Sequence, residues 1–400
     1  MKHVAVFGST GAIGRQTLEV IDHLRSEFRV SALVTRRNVE RLAQQAKRYQ
    51  PKYAVVTDAE QLPALRAALR GTRVKTLAGR AGMEQVARDP ATSIVFMGLA
   101  GTIGVLPVLA ALRERKRVAI ASKEVIVSFG RIVMATARRH KAEILPVDSE
   151  LSAIFQCLDG RHRSEIAQVI LTASGGPFRR VRDTSRISVA QALAHPTWNM
   201  GRKITVDSAT MMNKGLEVIE TAMYFGIDPN RIQVLIHPQS IVHSLVEFTD
   251  HSIMAQLAVA DMRLPIQYAL TWPRRVPGLT RATRLDRVRC LEFDKPDRRR
   301  FPSLGLAYAA LRQGGAMPCI LNAANEKAVQ AFLERRLEFD RIAQVTARTL
   351  RSFRNEANPG VARLLELELA AGRRAEEICR ALRPEVAGRK QKSMSREERV

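Results

Sequence analysis

Two carboxylates, Asp148 and Glu150, lie in the run Leu145-Pro146-Val147-Asp148-Ser149-Glu150. The apolar residues before them read as a strand. Alternate residues of an extended chain share a face, so this pair could hold one hard cation. Acidic residues at strand ends are more often simply solvated, and the pair alone is a weak indication. A third carboxylate, Glu217, closes the segment from Asp207 to Glu217, which reads as helical. Asn213 and Lys214 lie four and three residues before it, which turns all three to one side. Oxygen ligands with no cysteine close by suit Mg²⁺ or Mn²⁺, with Co²⁺ a further candidate, better than zinc. Asp148, Glu150 and Glu217 are the expected metal ligands.

Hydroxyl, amide and ammonium donors together can grip a phosphate. Ser174 in Thr172-Ala173-Ser174-Gly175-Gly176 is one such donor, with Ser208, Asn213 and Lys214 as the others. Between them stands His195-Pro196-Thr197-Trp198-Asn199-Met200-Gly201, where an indole in a loop bounded by Pro and Gly could close over a ligand and exclude water. A core anchor is an equally good reading of Trp198. His195 and His243, taken singly, are each more often structural than catalytic.

At the other end of the chain, Gly8-Ser9-Thr10-Gly11-Ala12-Ile13-Gly14 follows an apolar strand and opens a helix. Glycines at three-residue intervals let the backbone approach a pyrophosphate, whose charge the helix N-terminus stabilises. After the second strand stand Thr35-Arg36-Arg37-Asn38, with no carboxylate for a ribose 2′-hydroxyl. Two guanidiniums suit a 2′-phosphate instead, so NADPH is expected over NADH.

The elements that must position these residues are visible in the alternation of apolar runs and amphipathic stretches over residues 1 to 145. Val4–Phe7, Val30–Val34, Tyr53–Val56, Ile94–Met97, Val118–Ala121 and Ile144–Val147 read as strands of an α/β fold, a Rossmann-like, doubly wound parallel sheet binding NADPH. Residues 146–275 read as a central α+β catalytic and metal-binding domain, with strands at Val169–Ala173, Val234–Ile236 and Ile241–Phe248 and a flexible flap over 174–202. A Pro- and Arg-rich linker at 276–302 precedes a C-terminal helical domain at 303–384, in which Glu334–Arg351 reads as a typical helix. A polar tail at 385–400 completes the chain.

The formal charge is +25. Its arginines are spread through nearly every segment without interleaved aromatics, which argues for compositional bias and anionic small ligands over a nucleic-acid partner. No apolar run approaches the roughly 20 residues of a membrane span, and the first strand starts too early for a signal peptide to be expected. Four scattered cysteines fit a reducing cytoplasm.

On Gly8–Gly14, Ala121-Ser122-Lys123-Glu124, Pro146–Gln156, Leu171–Phe178, His195–Glu217, His237–Ser244 and Asn322-Ala323-Ala324-Asn325-Glu326, in this order, the chain closely resembles the 1-deoxy-D-xylulose 5-phosphate reductoisomerases of the non-mevalonate isoprenoid pathway. The resemblance implies a homodimeric enzyme that rearranges and reduces a sugar phosphate with NADPH and a divalent metal. It implies substrate contacts from Lys123, Ser149, Glu150, Ser174, His195, Ser208, Asn213 and Lys214, with Trp198 and Met200 as the flap and His243 beside the substrate. Thr10, Gly11, Ala12, Ile13, Arg37, Asn38, Glu124 and Gly201 would contact NADPH, with Gly8, Arg36 and Ser122 beside them. Ser122 replaces an asparagine usual in the family, Arg36 a small residue, and Leu151 a common histidine. A simpler NADP-dependent dehydrogenase of a phosphorylated small molecule, and a basic nucleic-acid binder with an inactive Rossmann domain, are the competing readings.

Overall fold

The structure is a computed structural model that describes residues 1–382 apart from 182 and 199; the expected polar tail lies outside the described residues. Seven parallel strands form the first sheet: β1 (Lys2–Phe7), β2 (Phe28–Thr35), β3 (Tyr53–Val56), β4 (Lys75–Ala78), β5 (Ile94–Met97), β6 (Arg117–Ile120) and β7 (Ile144–Pro146). Their order is β4-β3-β2-β1-β5-β6-β7, so the winding reverses between β1 and β5. In open α/β sheets a ligand crevice forms at such a point, outside the carboxyl ends of the strands. Val4, Ala5, Val6 and Phe7 are wholly buried, as a central strand covered on both faces requires. The covering helices are α1 (Ala12–His23), α2 (Val39–Tyr49), α3 (Leu62–Ala68), α4 (Gly79–Arg88), α5 (Val105–Arg113) and α6 (Lys123–His140).

After β7 the chain enters α7 (Ser149–Leu158) and a second, mixed sheet of β8 (Ile166–Ala173), β9 (Ile232–Ile236), β10 (Val242–Phe248) and β11 (Ile253–Leu257), ordered β11-β10-β8-β9. Between β8 and β9 run α8 (Val189–Leu193), α9 (Arg202–Ala209) and α10 (Met212–Phe225). The segment expected to be one helix up to Glu217 is two. Met211 takes a left-handed φ of 64° between α9 and α10, which ends one helix and re-aims the next.

Helix α11 (Arg263–Thr271) returns to pack on α1 and is followed by α12 (Pro302–Gln313), α13 (Met317–Leu333), α14 (Arg341–Arg351) and α15 (Val361–Ala381). The helix expected over Glu334–Arg351 is shorter. Arg335 adopts φ 60° just after α13, and the chain turns before α14 begins at Arg341. Gly215 fixes the approach of α10 to α12: a Cβ there would stand 2.7 Å from Ala307 Cβ.

Candidate active site

The carboxyl ends of the first sheet and one end of the mixed sheet meet across a cavity of about 400 Å³. Asp148 is the N-cap of α7 and accepts the amide of Glu150 at 3.3 Å. The two carboxylates therefore come together through a helix start. The extended-strand geometry expected for them is not what forms, because the chain turns into α7 at once. Lys123 opens α6, while Asn213, Lys214 and Glu217 project from one side of α10.

These side chains interlock. Lys123 Nζ lies 2.6 Å from Asp148 Oδ2 and 3.0 Å from Glu217 Oε1, and donates to Asn213 Oδ1 at 2.7 Å. Lys214 Nζ lies 2.9 Å from Glu150 Oε1 and also pairs with Glu217. One oxygen from each of Asp148, Glu150 and Glu217 falls within 4.8 Å of the others. Three carboxylates against two ammoniums leave the buried cluster rich in negative charge.

Burial works against every ionised group here. It pushes Glu150 upward, and with Glu150 beside it Glu217 rises to about 7. Asp148 is held down at about 2 by Lys123 in spite of its burial. The carboxylates in turn raise Lys123 and Lys214 above the ordinary lysine range. A hard divalent cation fits this donor set, since it supplies the positive charge that the raised Glu217 lacks.

A second cluster adjoins the first. His195 Nε2 lies 2.9 Å from Ser174 Oγ and 3.1 Å from Ser208 Oγ. Its Nδ1 accepts the backbone amides of Thr197 at 3.2 Å and Trp198 at 2.9 Å, so the neutral ring carries its proton on Nε2. Burial lowers its pKa and favours that neutral form. Of the four expected phosphate donors, Ser174 and Ser208 meet at this imidazole, whereas Asn213 and Lys214 face the carboxylates. Trp198 is half-buried, its ring 6.1 Å from that of His243, and it lines the cavity with Met200. Burial depresses His243 to about 4.

The cavity runs on to Ala12 and Ile13 at the start of α1 and to Gly201, the N-cap of α9. Gly8 has φ 88°, and a Cβ on it would stand 2.4 Å from the Gly98 carbonyl oxygen; one on Gly14 would stand 2.1 Å from that of Gly8. Only glycine fits either place. The middle glycine, Gly11, N-caps α1 without any side-chain cap, which leaves the first amides of the helix open to an anion. Thr10 bonds Thr35 across to β2 at 2.5 Å. Arg37 pairs with Asp58 at 2.6 Å, and Asn38 caps α2 by accepting the amide of Arg41. Arg36 stands exposed beside them. Ser122 is buried and gives its hydroxyl to the Leu99 carbonyl, and Glu124 pairs with Lys203 at 3.3 Å.

Several wall residues escaped the sequence reading, among them Gln16, Glu19, Met262 and Arg263. No motif announces them. Arg263 shows why: it is held by Asp261 at 2.5 Å and approaches Glu19 on α1 at 3.6 Å, a contact made by folding across the whole N-terminal half.

Family models cover most of the chain. That of 1-deoxy-D-xylulose 5-phosphate reductoisomerase matches residues 4–130, and models of its C-terminal domains match 144–225 and 257–374. A relative of that name from Pelotomaculum thermopropionicum is 46% identical over 385 residues, spanning 96% of this chain and 100% of its own length. The chain belongs to the 1-deoxy-D-xylulose 5-phosphate reductoisomerase family. The reductoisomerase of Zymomonas mobilis, solved with NADPH, superposes with a TM-score of 0.89 at 38% identity, covering 95% of this chain and 100% of that one. Another, solved with NADPH, fosmidomycin and magnesium, gives 0.89 at 36% identity over 95% of this chain and 98% of its own. Of the three residues expected to depart from the family pattern, Leu151 is fully buried on α7, Ser122 faces inward, and Arg36 is exposed.

Proposed function

We propose that this chain converts 1-deoxy-D-xylulose 5-phosphate to 2-C-methyl-D-erythritol 4-phosphate with NADPH and a divalent metal, in isoprenoid precursor synthesis. The observation that carries this reading is the buried Asp148–Glu150–Glu217 trio, interlocked with Lys123 and Lys214 in a cavity that reaches the glycine loop. A plain dehydrogenase has no use for it.

In this reading Asp148, Glu150 and Glu217 hold Mg²⁺ or Mn²⁺, which supplies electrostatic stabilisation of charge developing on the substrate's oxygens. Lys123 donates to those same oxygens while the carbon skeleton rearranges, by retro-aldol cleavage and re-addition, to an aldehyde. NADPH bound on the glycine-loop side would supply the hydride that, with a proton, reduces this aldehyde to the alcohol. Ser174, Ser208 and the Nε2–H of His195 grip the phosphate, with Asn213 and Lys214 as the further donors. Binding energy from this remote phosphate closes the Trp198–Met200 flap over the reacting carbons and excludes water. Ser149 and His243 line the substrate's side. Gly8 to Ile13, Arg36, Arg37, Asn38, Ser122, Glu124 and Gly201 form the cofactor's side.

The three-part organisation, 1–145, 146–275 and 303–384, is read as three domains. A homodimer is proposed from the mixed sheet. Strand β11 pairs only with β10 among the described residues, and its Ile253 and Met254 are 53% and 43% exposed on that edge. Free cysteines at positions 157, 290, 319 and 379 accord with a reducing cytoplasm; among the described residues no helix is long and apolar enough to cross a membrane.

The test is NADPH oxidation with 1-deoxy-D-xylulose 5-phosphate, with Mn²⁺ or after chelation. Turnover that needs both substrate and metal is expected. Oxidation that persists without metal would return the protein to the simpler dehydrogenases.

A further inference from the structure

The segment Asn322-Ala323-Ala324-Asn325-Glu326 has no part in the chemistry above, yet Asn322 and Asn325 are wholly buried on α13. Asn325 Nδ2 donates to Asp207 Oδ1 at 2.8 Å. Asp207, on α9, is only 1% exposed, and its other oxygen lies 2.9 Å from Lys203 Nζ. Lys203 in turn reaches Glu124 at 3.3 Å, in the first turn of α6 beside Lys123. One line of polar contacts therefore joins α13, α9 and α6.

Lys203 and Glu124 are each favoured in the charged state. Burial opposes the charge on Lys203, but Asp207 and Glu124 together raise it above the ordinary lysine range. Burial opposes the charge on Glu124 too, and the Lys203 ammonium keeps it below the usual carboxylate range. Breaking such a pair on one side leaves a buried charge uncompensated.

Helix α9 has eight residues, too few to be stable without its packing. It starts at Gly201, where the loop carrying Trp198 and Met200 ends, and it bears Ser208 in its last turn. We infer that Asn325, Asp207 and Lys203 are positioning residues that couple the nucleotide end of the cavity to closure of the Trp198 loop. Asn325 supplies the fixed point on the C-terminal helices. Lys203 links Glu124 to α9. A cofactor that immobilises Glu124 thereby immobilises the first turn of α9, and the loop closes with less left to order. The inference rests on the proposed function in taking NADPH and a sugar phosphate as the two ligands.

The test is a binding cycle: the NADPH affinity with and without saturating fosmidomycin and Mg²⁺, and the reciprocal titration, for the parent chain and Lys203→Met. In the parent each ligand should tighten the other about tenfold, by the same factor in both directions. In Lys203→Met each ligand alone should bind within about threefold of the parent while the coupling falls below about twofold. Lys203→Arg should restore it. Because Lys203→Met strands Asp207 and Glu124 without their cation, the double variant Lys203→Met/Asp207→Asn, which removes one of the two stranded charges, lessens the risk of misfolding. It should show the same loss of coupling. Undiminished coupling in these variants overturns the inference, as does a parallel weakening of both ligands alone with a lowered Tm, the mark of a merely structural role. A parent that binds both ligands without coupling overturns the inference and leaves the proposed function standing. A parent that binds neither overturns both.

Discussion

At the nucleotide end of the cavity, what is offered to a ligand is backbone that glycines allow to come close, together with arginines standing in solvent: the Arg37 side chain is 68% exposed. At the carboxylate end the charged groups are side chains sunk in the protein, Lys214 at 4% and Glu217 at 1%. Exposed charges are screened by water and act nearly independently, whereas buried ones depend on each other for solvation. Substitutions at the two ends should therefore differ in kind: graded and ligand-specific at the first, drastic and shared at the second.

The largest effect is expected at the carboxylates. Glu217→Gln removes a ligand and a partner of both lysines, so turnover should fall by about 10²–10³-fold or more while NADPH affinity moves little. Asp148→Asn and Glu150→Gln should behave alike. Titration with Mn²⁺ decides the matter: unchanged metal affinity in all three variants would dissolve the contrast between the two ends.

His243 extends the comparison to pH. Burial holds its folded pKa near 4, against about 6.5 when unfolded, so the unfolded chain takes up the proton first. Stability is therefore full above about pH 6.5, is lost as pH falls toward 4, and levels off below. The span is about 3 kcal/mol at 1.36 kcal/mol per unit. Chemical unfolding at pH 7 and pH 4.5 should show this loss in the parent and a much smaller one in His243→Asn. Equal losses would mean that His243 is solvated in the folded protein.

At the nucleotide end, replacing Arg36 and Arg37 by Ala should weaken NADPH by about 10- to 100-fold and NADH far less, since each charge-assisted hydrogen bond contributes about 1.5–3 kcal/mol before solvent screening. If both cofactors weaken equally, the 2′-phosphate is read elsewhere.

The two ends also differ in how far the sequence discloses them. The glycine loop is contiguous and follows a strand into a helix, so Gly8, Gly11 and Gly14 can be recognised from spacing and context, although the close approach of Gly8 to Gly98 cannot. Asp148, Glu150 and Glu217 can be recognised as chemistry, but not as geometry: the pair sits on a helix start, which the strand reading of Leu145–Val147 ran past. Strand β4 escaped notice because Lys75–Ala78 is a short edge without full burial, and β11 because its Ile253, Met254 and Ala255 face solvent. Periodicity reports burial, and elements that are not buried leave little trace in it. The partition of phosphate donors, with Lys214 on the carboxylates and Ser208 on His195, depends on the break at Met211, which composition does not announce.

The smallest effect, and the sharpest test of what burial does, is expected at Glu220. It lies one turn beyond Glu217 on α10, is 1% exposed, and its Oε2 has no hydrogen-bond partner among the described residues. Burial, with Asp148 nearby, pushes its carboxyl well above the usual range and favours the neutral acid. The folded state then keeps a proton that the unfolded chain releases above its ordinary pKa, and stability declines as pH rises out of that range. Glu220→Gln changes the shape little and keeps the charge of the neutral acid. It should leave Mn²⁺ affinity within about twofold and stability within about 1 kcal/mol of the parent. At pH 8 the variant should equal or exceed the parent, because the glutamine has no proton to lose. Paired with Glu217→Gln, the experiment sets two glutamates one turn apart on one buried helix against each other. A loss of metal affinity in Glu220→Gln as large as in Glu217→Gln would show that Glu220 is ionised and belongs to the charged cluster, so that burial alone does not decide which carboxylates of α10 carry charge.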